Sequence, residues 1–183
     1  MRVALPSLCE QQAFAASADG SCSKGVDGVM TKLRFLIVPA ALMLVAATSG
    51  AAEEIAFPDG YRVWTHIRSA IVGPTSGAFK RFGGMHSIYA NPAAMDGYRS
   101  GRFPDGSVIV FDNHETFTTQ GTELPGRRRF IDVMVKTDGS WRFGEFAGDS
   151  RTERSVTVAQ GEAQCASCHA QSPTDHVYSQ YTP

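Results

Sequence analysis

The sequence predicts a mostly β fold, a β-rich α+β domain built on an antiparallel sheet with a few short helices. Three observations predict it. Short runs of alternating apolar and polar residues dominate the chain from Tyr61 to Phe146. Turn signals built from Gly, Pro, Asn and Asp separate those runs. The composition, with 18 Gly, 9 Pro and 11 Phe among 183 residues, fits a loop-rich aromatic fold better than an Ala- and Leu-rich bundle.

Taken in order, Tyr61–Val72 alternates, with Val63, Thr65 and Ile67 on one face and Trp64 and His66 on the other, until Gly73-Pro74 stops it. Ser87–Ala90 is a second short run. Asn91-Pro92 then starts a helix, because Asn caps well and Pro suits the first helical position. The helix covers Ala93–Ser100 and ends at Gly101. Pro104-Asp105-Gly106 is a turn, followed by the β-rich run Ser107–Phe111. Phe130–Lys136 alternates again, and Asp138-Gly139 joins it to Trp141–Phe146 as a hairpin. Ser155–Val158 reads as one more strand. A short helical turn follows near Cys165. There is no internal repeat and no low-complexity tract.

The formal net charge of −1 argues against a nucleic-acid binder, which carries a basic surplus. At the N-terminal end, Lys32 and Arg34 precede an apolar run from Phe35 to Ala47 and then the small residues Thr48-Ser49-Gly50-Ala51-Ala52. That order is the pattern of a secretory signal peptide. The run is short of the roughly 20 apolar residues that span a bilayer, which disfavours the alternative of an uncleaved anchor. The expected division is therefore residues 1–29 as a mis-extended or non-structural leader with Met30 the true start, 30–52 as the signal peptide, and 53–183 as one domain. Cys9 and Cys22 fall in the removed part, which leaves Cys165 and Cys168 as the mature cysteines.

Cys165-Ala166-Ser167-Cys168-His169 is a C-x-x-C-H site. Two thiols three residues apart sit on one helical turn and can bond the two vinyl groups of a haem, and the adjacent imidazole can ligate its iron. One covalent haem c is thus expected, held by Cys165 and Cys168 with His169 as the proximal ligand. Competing readings are a disulfide or a thioredoxin-like redox pair, and, less well matched, a zinc site, which needs a second ligand pair. Export supports the haem reading, because c-type haem is attached on the periplasmic side of bacterial membranes.

The motif lies near the C-terminus, and residues 170–183 contain no Met. A sixth iron ligand has to come from Met85, Met95, Met134, His66, His86 or His114, each of which has a commoner job in packing or hydrogen bonding. A five-coordinate iron with an open distal side is expected.

Tyr61-Arg62-Val63-Trp64, Ile88-Tyr89-Ala90-Asn91-Pro92, the run from Gly101-Arg102-Phe103-Pro104-Asp105-Gly106 through Ser107-Val108-Ile109-Val110, and the C-x-x-C-H site occur here in one order. Together with Trp141-Arg142-Phe143 and Val177-Tyr178-Ser179-Gln180-Tyr181, this chain resembles the cytochrome P-460 family over residues 53–183. The resemblance implies a β-rich periplasmic haem domain, a homodimer, and one of two activities. In the hydroxylamine-oxidising branch a Lys directly after the Val110 position is linked to the haem. In the cytochrome c′-beta branch there is no such link, Phe lines the distal side, and the haem binds nitric oxide or carbon monoxide.

Phe111 follows Val110 here, and a phenyl ring has no nucleophilic nitrogen. Lys80 lies well upstream and Lys136 belongs to another strand. The leading expectation is a periplasmic mono-haem cytochrome that binds nitric oxide or a similar small gaseous ligand, with Phe111 over the open iron or, alternatively, packing the sheet. A hydroxylamine-oxidising enzyme is the alternative. Plain electron transfer to a periplasmic partner is the third reading, and a four-helix bundle with a late motif is disfavoured by the alternating runs. Asp112 and Glu115 are candidate distal carboxylates, Arg127-Arg128-Arg129 a candidate docking patch or a solvated loop, and His176 a candidate neighbour of the haem edge.

Overall fold

The computed structural model describes residues 53–183, so the expected leader and signal peptide lie outside the described residues. Six strands follow each other in a simple antiparallel meander: β1 (Thr65–Val72), β2 (Gly84–Ala90), β3 (Val108–Thr119), β4 (Thr122–Thr137), β5 (Ser140–Ala147) and β6 (Arg154–Val156). Short helices interrupt the meander: α1 (Phe79–Phe82), α2 (Pro92–Ser100), α3 (Val158–Gln164) and α4 (Ala166–His169). The fold is the β-rich antiparallel sheet with few short helices that the sequence predicts. Among the described residues no helix is long and apolar enough to cross a membrane.

Local chemistry explains the element ends. Asn91 caps α2 by accepting the Ala94 amide at 2.9 Å, and the same oxygen takes the Val108 amide at 3.0 Å, which ties the helix start to β3. Gly101 closes α2 in the left-handed conformation. Asp138 and Gly139 both have positive φ, the two-residue turn that matches strand twist between β4 and β5. Gln120-Gly121 makes the same kind of turn between β3 and β4.

The structure differs from the sequence reading in four places. Tyr61–Val63 is a 3-10 turn, because Gly60 enters in the left-handed conformation and the Trp64 amide bonds back to Tyr61. β3 and β4 run well past Phe111 and ahead of Phe130 as a two-stranded arm beyond the sheet, where Pro125 is tolerated opposite Thr116. The run read as a strand to Val158 stops at Val156, since Thr157 and Gln160 form a capping box that opens α3. Phe79–Phe82 forms the helical turn α1, closed by the Gly83 amide on the Phe79 carbonyl, where the sequence pattern is too short to mark a helix.

The two sheet faces carry separate cores. Ile67, Ile88, Ala90, Met95, Phe103, Ile109, Trp141 and Phe143 pack on one face, joined by Phe111, Met134, Cys165 and Ala166. Tyr61, Val110, Ile131, Val133, Phe146 and Val158 pack on the other. The chain therefore passes from the second face at Val158 to the first at Cys165 within one helix. It passes beside β5, which pairs with β6 only through Glu145 and Phe146. Gly161 permits the crossing: a Cβ there would lie 2.3 Å from the Phe143 carbonyl oxygen.

Candidate functional site

Cys165 sits at the junction of α3 and α4, and α4 presents Cys168 and His169 on the next turn. Both cysteines are free and partly buried, which leaves no disulfide between them. Burial, then the nearby Asp132 carboxylate, pushes the Cys165 thiol up.

His169 is held from three sides. Its ring lies 4.8 Å from the Phe143 ring and 5.6 Å from the Tyr178 ring. Nδ1 donates to the His176 carbonyl oxygen at 2.8 Å. A carbonyl can only accept, so Nδ1 carries the proton and Nε2 keeps a free lone pair. Burial lowers the imidazole pKa and favours the same neutral form, although the carbonyl acts against it. The residues present fit a haem: two unpaired thiols in C-x-x-C order, and one imidazole whose tautomer is fixed with Nε2 available.

The sequence-predicted residues separate by face. Phe111 lies on the motif's face, packed against the same core as Cys165 and Ala166. It is opposite Ile88 on one side and Asp132 on the other. Its ring stacks on His86 at 4.4 Å and runs parallel to Phe130 at 6.2 Å, with the edge of Phe82 at 5.7 Å. Asp112, the next residue, points to the other face. Its buried carboxylate accepts from Tyr61 at 2.7 Å, Arg128 at 2.7 Å and Arg62 at 3.0 Å, with His114 Nε2 also at 3.0 Å. Burial pushes that carboxyl up, but the Arg128 and Tyr61 hydrogen bonds outweigh it and hold it below the usual range. Glu115 is exposed and pairs with Arg127 at 3.0 Å.

The carboxylates that share the face of Phe111 are Asp132 and Glu145, directly opposite each other on β4 and β5. Arg81, from α1, reaches Asp132 at 3.5 Å and makes a shorter bond to Glu145. Ser155 donates its hydroxyl to Glu145. Burial and the facing Glu145 carboxylate push the Asp132 carboxyl well above its usual range, because two adjacent carboxylates resist ionising together. Arg81 also lies over the Phe82 and Phe130 rings, at 4.9 and 4.5 Å. Sequence reasoning missed this constellation.

Of the six candidate sixth ligands, Met95 is buried in the first core and Met134 packs against it. His66 is bonded to Ser69 at 2.9 Å, and His114 is engaged by Gly126 and Asp112. Met85 alternates with His86 and so points away from the motif's face. His86 is on that face, with Nδ1 buried and without a hydrogen-bond partner. In the arginine triplet, Arg128 is committed to Asp112 and Asp149 and Arg129 to Asn113 and Gly83, leaving Arg127 as the projecting charge. Lys136 is buried and paired with Asp175 at 2.9 Å, while Lys80 is exposed on α1.

A comparison with family models matches residues 58–179 to the family described as Cytochrome P460. A search of curated proteins gives no match.

Proposed function

The chain belongs to the cytochrome P460 family, which makes it a haem-binding cytochrome, and from that premise we propose an exported mono-haem cytochrome that binds nitric oxide or a similar small molecule. Cys165 and Cys168 would hold the haem covalently and His169 would ligate its iron. When bound, the haem would supply an iron able to take a small ligand. The protein's own residues do the rest. The His176 carbonyl fixes the His169 tautomer. Phe82, Phe111 and Phe130 form an aromatic surface that disfavours water.

The observation that carries this reading is Phe111. It stands on the motif's face at the position where the hydroxylamine-oxidising branch has its cross-linking Lys, while Lys80 is exposed on α1 and Lys136 is committed to Asp175. Stopped-flow mixing of the ferrous protein with nitric oxide and with carbon monoxide tests it. Saturable binding at micromolar gas is expected, and no spectral change at those concentrations rejects it. Periplasmic location, a homodimer and a periplasmic electron-transfer partner belong to the same proposal.

One observation favours a second reading, oxidation of hydroxylamine or a related nitrogen compound. Asp132, its carboxyl raised by burial and by the facing Glu145, lies with Glu145 under Arg81 on the face of Phe111. Such a pair can hold or pass a proton to a bound ligand. Turnover of hydroxylamine with an artificial electron acceptor is the discriminating assay.

A further inference from the structure

We propose that Asp175 is a positioning residue for the iron's proximal ligand, acting through the backbone carbonyl of His176. The inference rests on the reading of His169 as that ligand. The Nδ1–H···O bond of His169 ends on a main-chain oxygen, so no change of the His176 side chain removes it. What can change is where that oxygen is held.

The carbonyl stands in an uncommon backbone conformation. Asp175 and His176 are consecutive non-glycine residues with positive φ, 39° and 65°. Side chains disfavour that region, so the loop needs outside contacts to stay there. Asp175 makes most of them. Its carboxylate accepts the Phe103 amide at 2.9 Å and the Lys136 ammonium at 2.9 Å, and its own carbonyl accepts the Trp141 indole N–H at 2.8 Å. The Val177 amide donates to Thr174 and the Ser172 hydroxyl to Val177, which closes the loop on itself.

Lys136 shows how committed the clamp is. It is 8% exposed, at the turn end of β4 opposite Trp141, with its ammonium 5.3 Å from the Trp141 ring. A lysine is rarely buried so far unless paired, and its carboxylate partner is Asp175. β4 and β5 thus hold the loop from the sheet side. Beside this clamp a cleft of about 750 Å³, lined by Phe103 and Lys136 as well as Arg102, Ser172, Asp175 and His176, opens to solvent. A loosened His176 carbonyl would find water there.

A firm hydrogen bond to the distal nitrogen of a ligating imidazole raises its basicity. Loosening it should weaken the iron–imidazole bond and favour the ferrous state. The test is resonance Raman spectroscopy of the ferrous holoprotein, with the midpoint potential, on wild type, D175N, K136M and D175E. D175N and K136M should shift the iron–histidine stretch to lower frequency and the potential upward, and D175E should sit nearer wild type than D175N. Where D175N fails to fold, K136M carries the same comparison. Folded variants with a lower Tm but a wild-type stretch and potential would overturn the proposal, leaving Asp175 a purely structural clamp. No iron–histidine stretch in the wild type would instead remove the five-coordinate, His169-ligated iron on which the proposal rests, and the proposal with it.

Discussion

Asp132 lies directly opposite Glu145 across the β4–β5 ladder, and Arg81 binds both carboxylates from α1. Two acids that approach from separate strands on the motif's face form a unit that neither strand reveals alone.

A pH dependence follows for Asp132. Its carboxyl is raised in the folded protein by burial and by Glu145. A group raised on folding contributes stability that is fully present below its unfolded pKa and is lost as pH rises through the folded value. D132N should therefore be more heat-stable than wild type at neutral pH, with the advantage disappearing below the ordinary carboxylate range. Thermal melts at pH 3.5 and pH 7.5 measure the difference; an advantage that does not shrink on acidification contradicts it.

Asp112 behaves in the opposite sense. Its carboxyl is depressed, so its contribution is present above the unfolded value and is lost as pH falls through the folded one. D112A leaves the Arg128 charge, itself largely buried, without that partner. A loss of about 3–5 kcal/mol is expected from breaking a buried pair. Because Asp112 faces the second core, the haem absorbance of the folded variant should match wild type. Urea unfolding together with visible spectra checks both parts.

Phe111 links packing to ligand access. F111A removes a partly buried ring stacked on His86 and parallel to Phe130, at a cost below the about 3–5 kcal/mol of a fully buried Phe→Ala change. Nitric oxide should associate several-fold faster with the ferrous variant, since less apolar surface crowds the face. An unchanged association rate would make Phe111 a packing residue only.

Gly161 is a structural requirement for the motif. In G161A the new methyl meets the Phe143 carbonyl oxygen at 2.3 Å, so α3 must move away from β5. Overpacking of this kind costs about 1–3 kcal/mol. The same displacement carries α4 with it, and the fraction of protein with attached haem, read from intact mass, should fall.

Much of this organisation is written locally in the chain. Asn91, Gly101 and Asp138-Gly139 act through their own backbone preferences, so the ends of α2 and the β4–β5 turn are legible without any tertiary contact. The motif is legible for the same reason, as one helical turn. The arm of β3 and β4 is hidden because Pro125-Gly126 reads as a breaker, and becomes a strand only through pairing with the Glu115–Thr116 region. The box of Thr157 and Gln160 is a genuine helix signal, masked by the β-branched run Val156-Thr157-Val158 that it overlaps. Asp132 with Glu145, and Asp175 with Lys136, are pairs made by register and by loop closure. No periodicity in the sequence brings them together.

The absorbance spectrum of the purified protein in the ferric and ferrous states, before and after nitric oxide, bears most directly on the proposed site. A c-type haem with a high-spin spectrum that converts on adding nitric oxide is the expected result. A low-spin, six-coordinate spectrum indifferent to the gas, or a protein carrying no covalent haem, would contradict it.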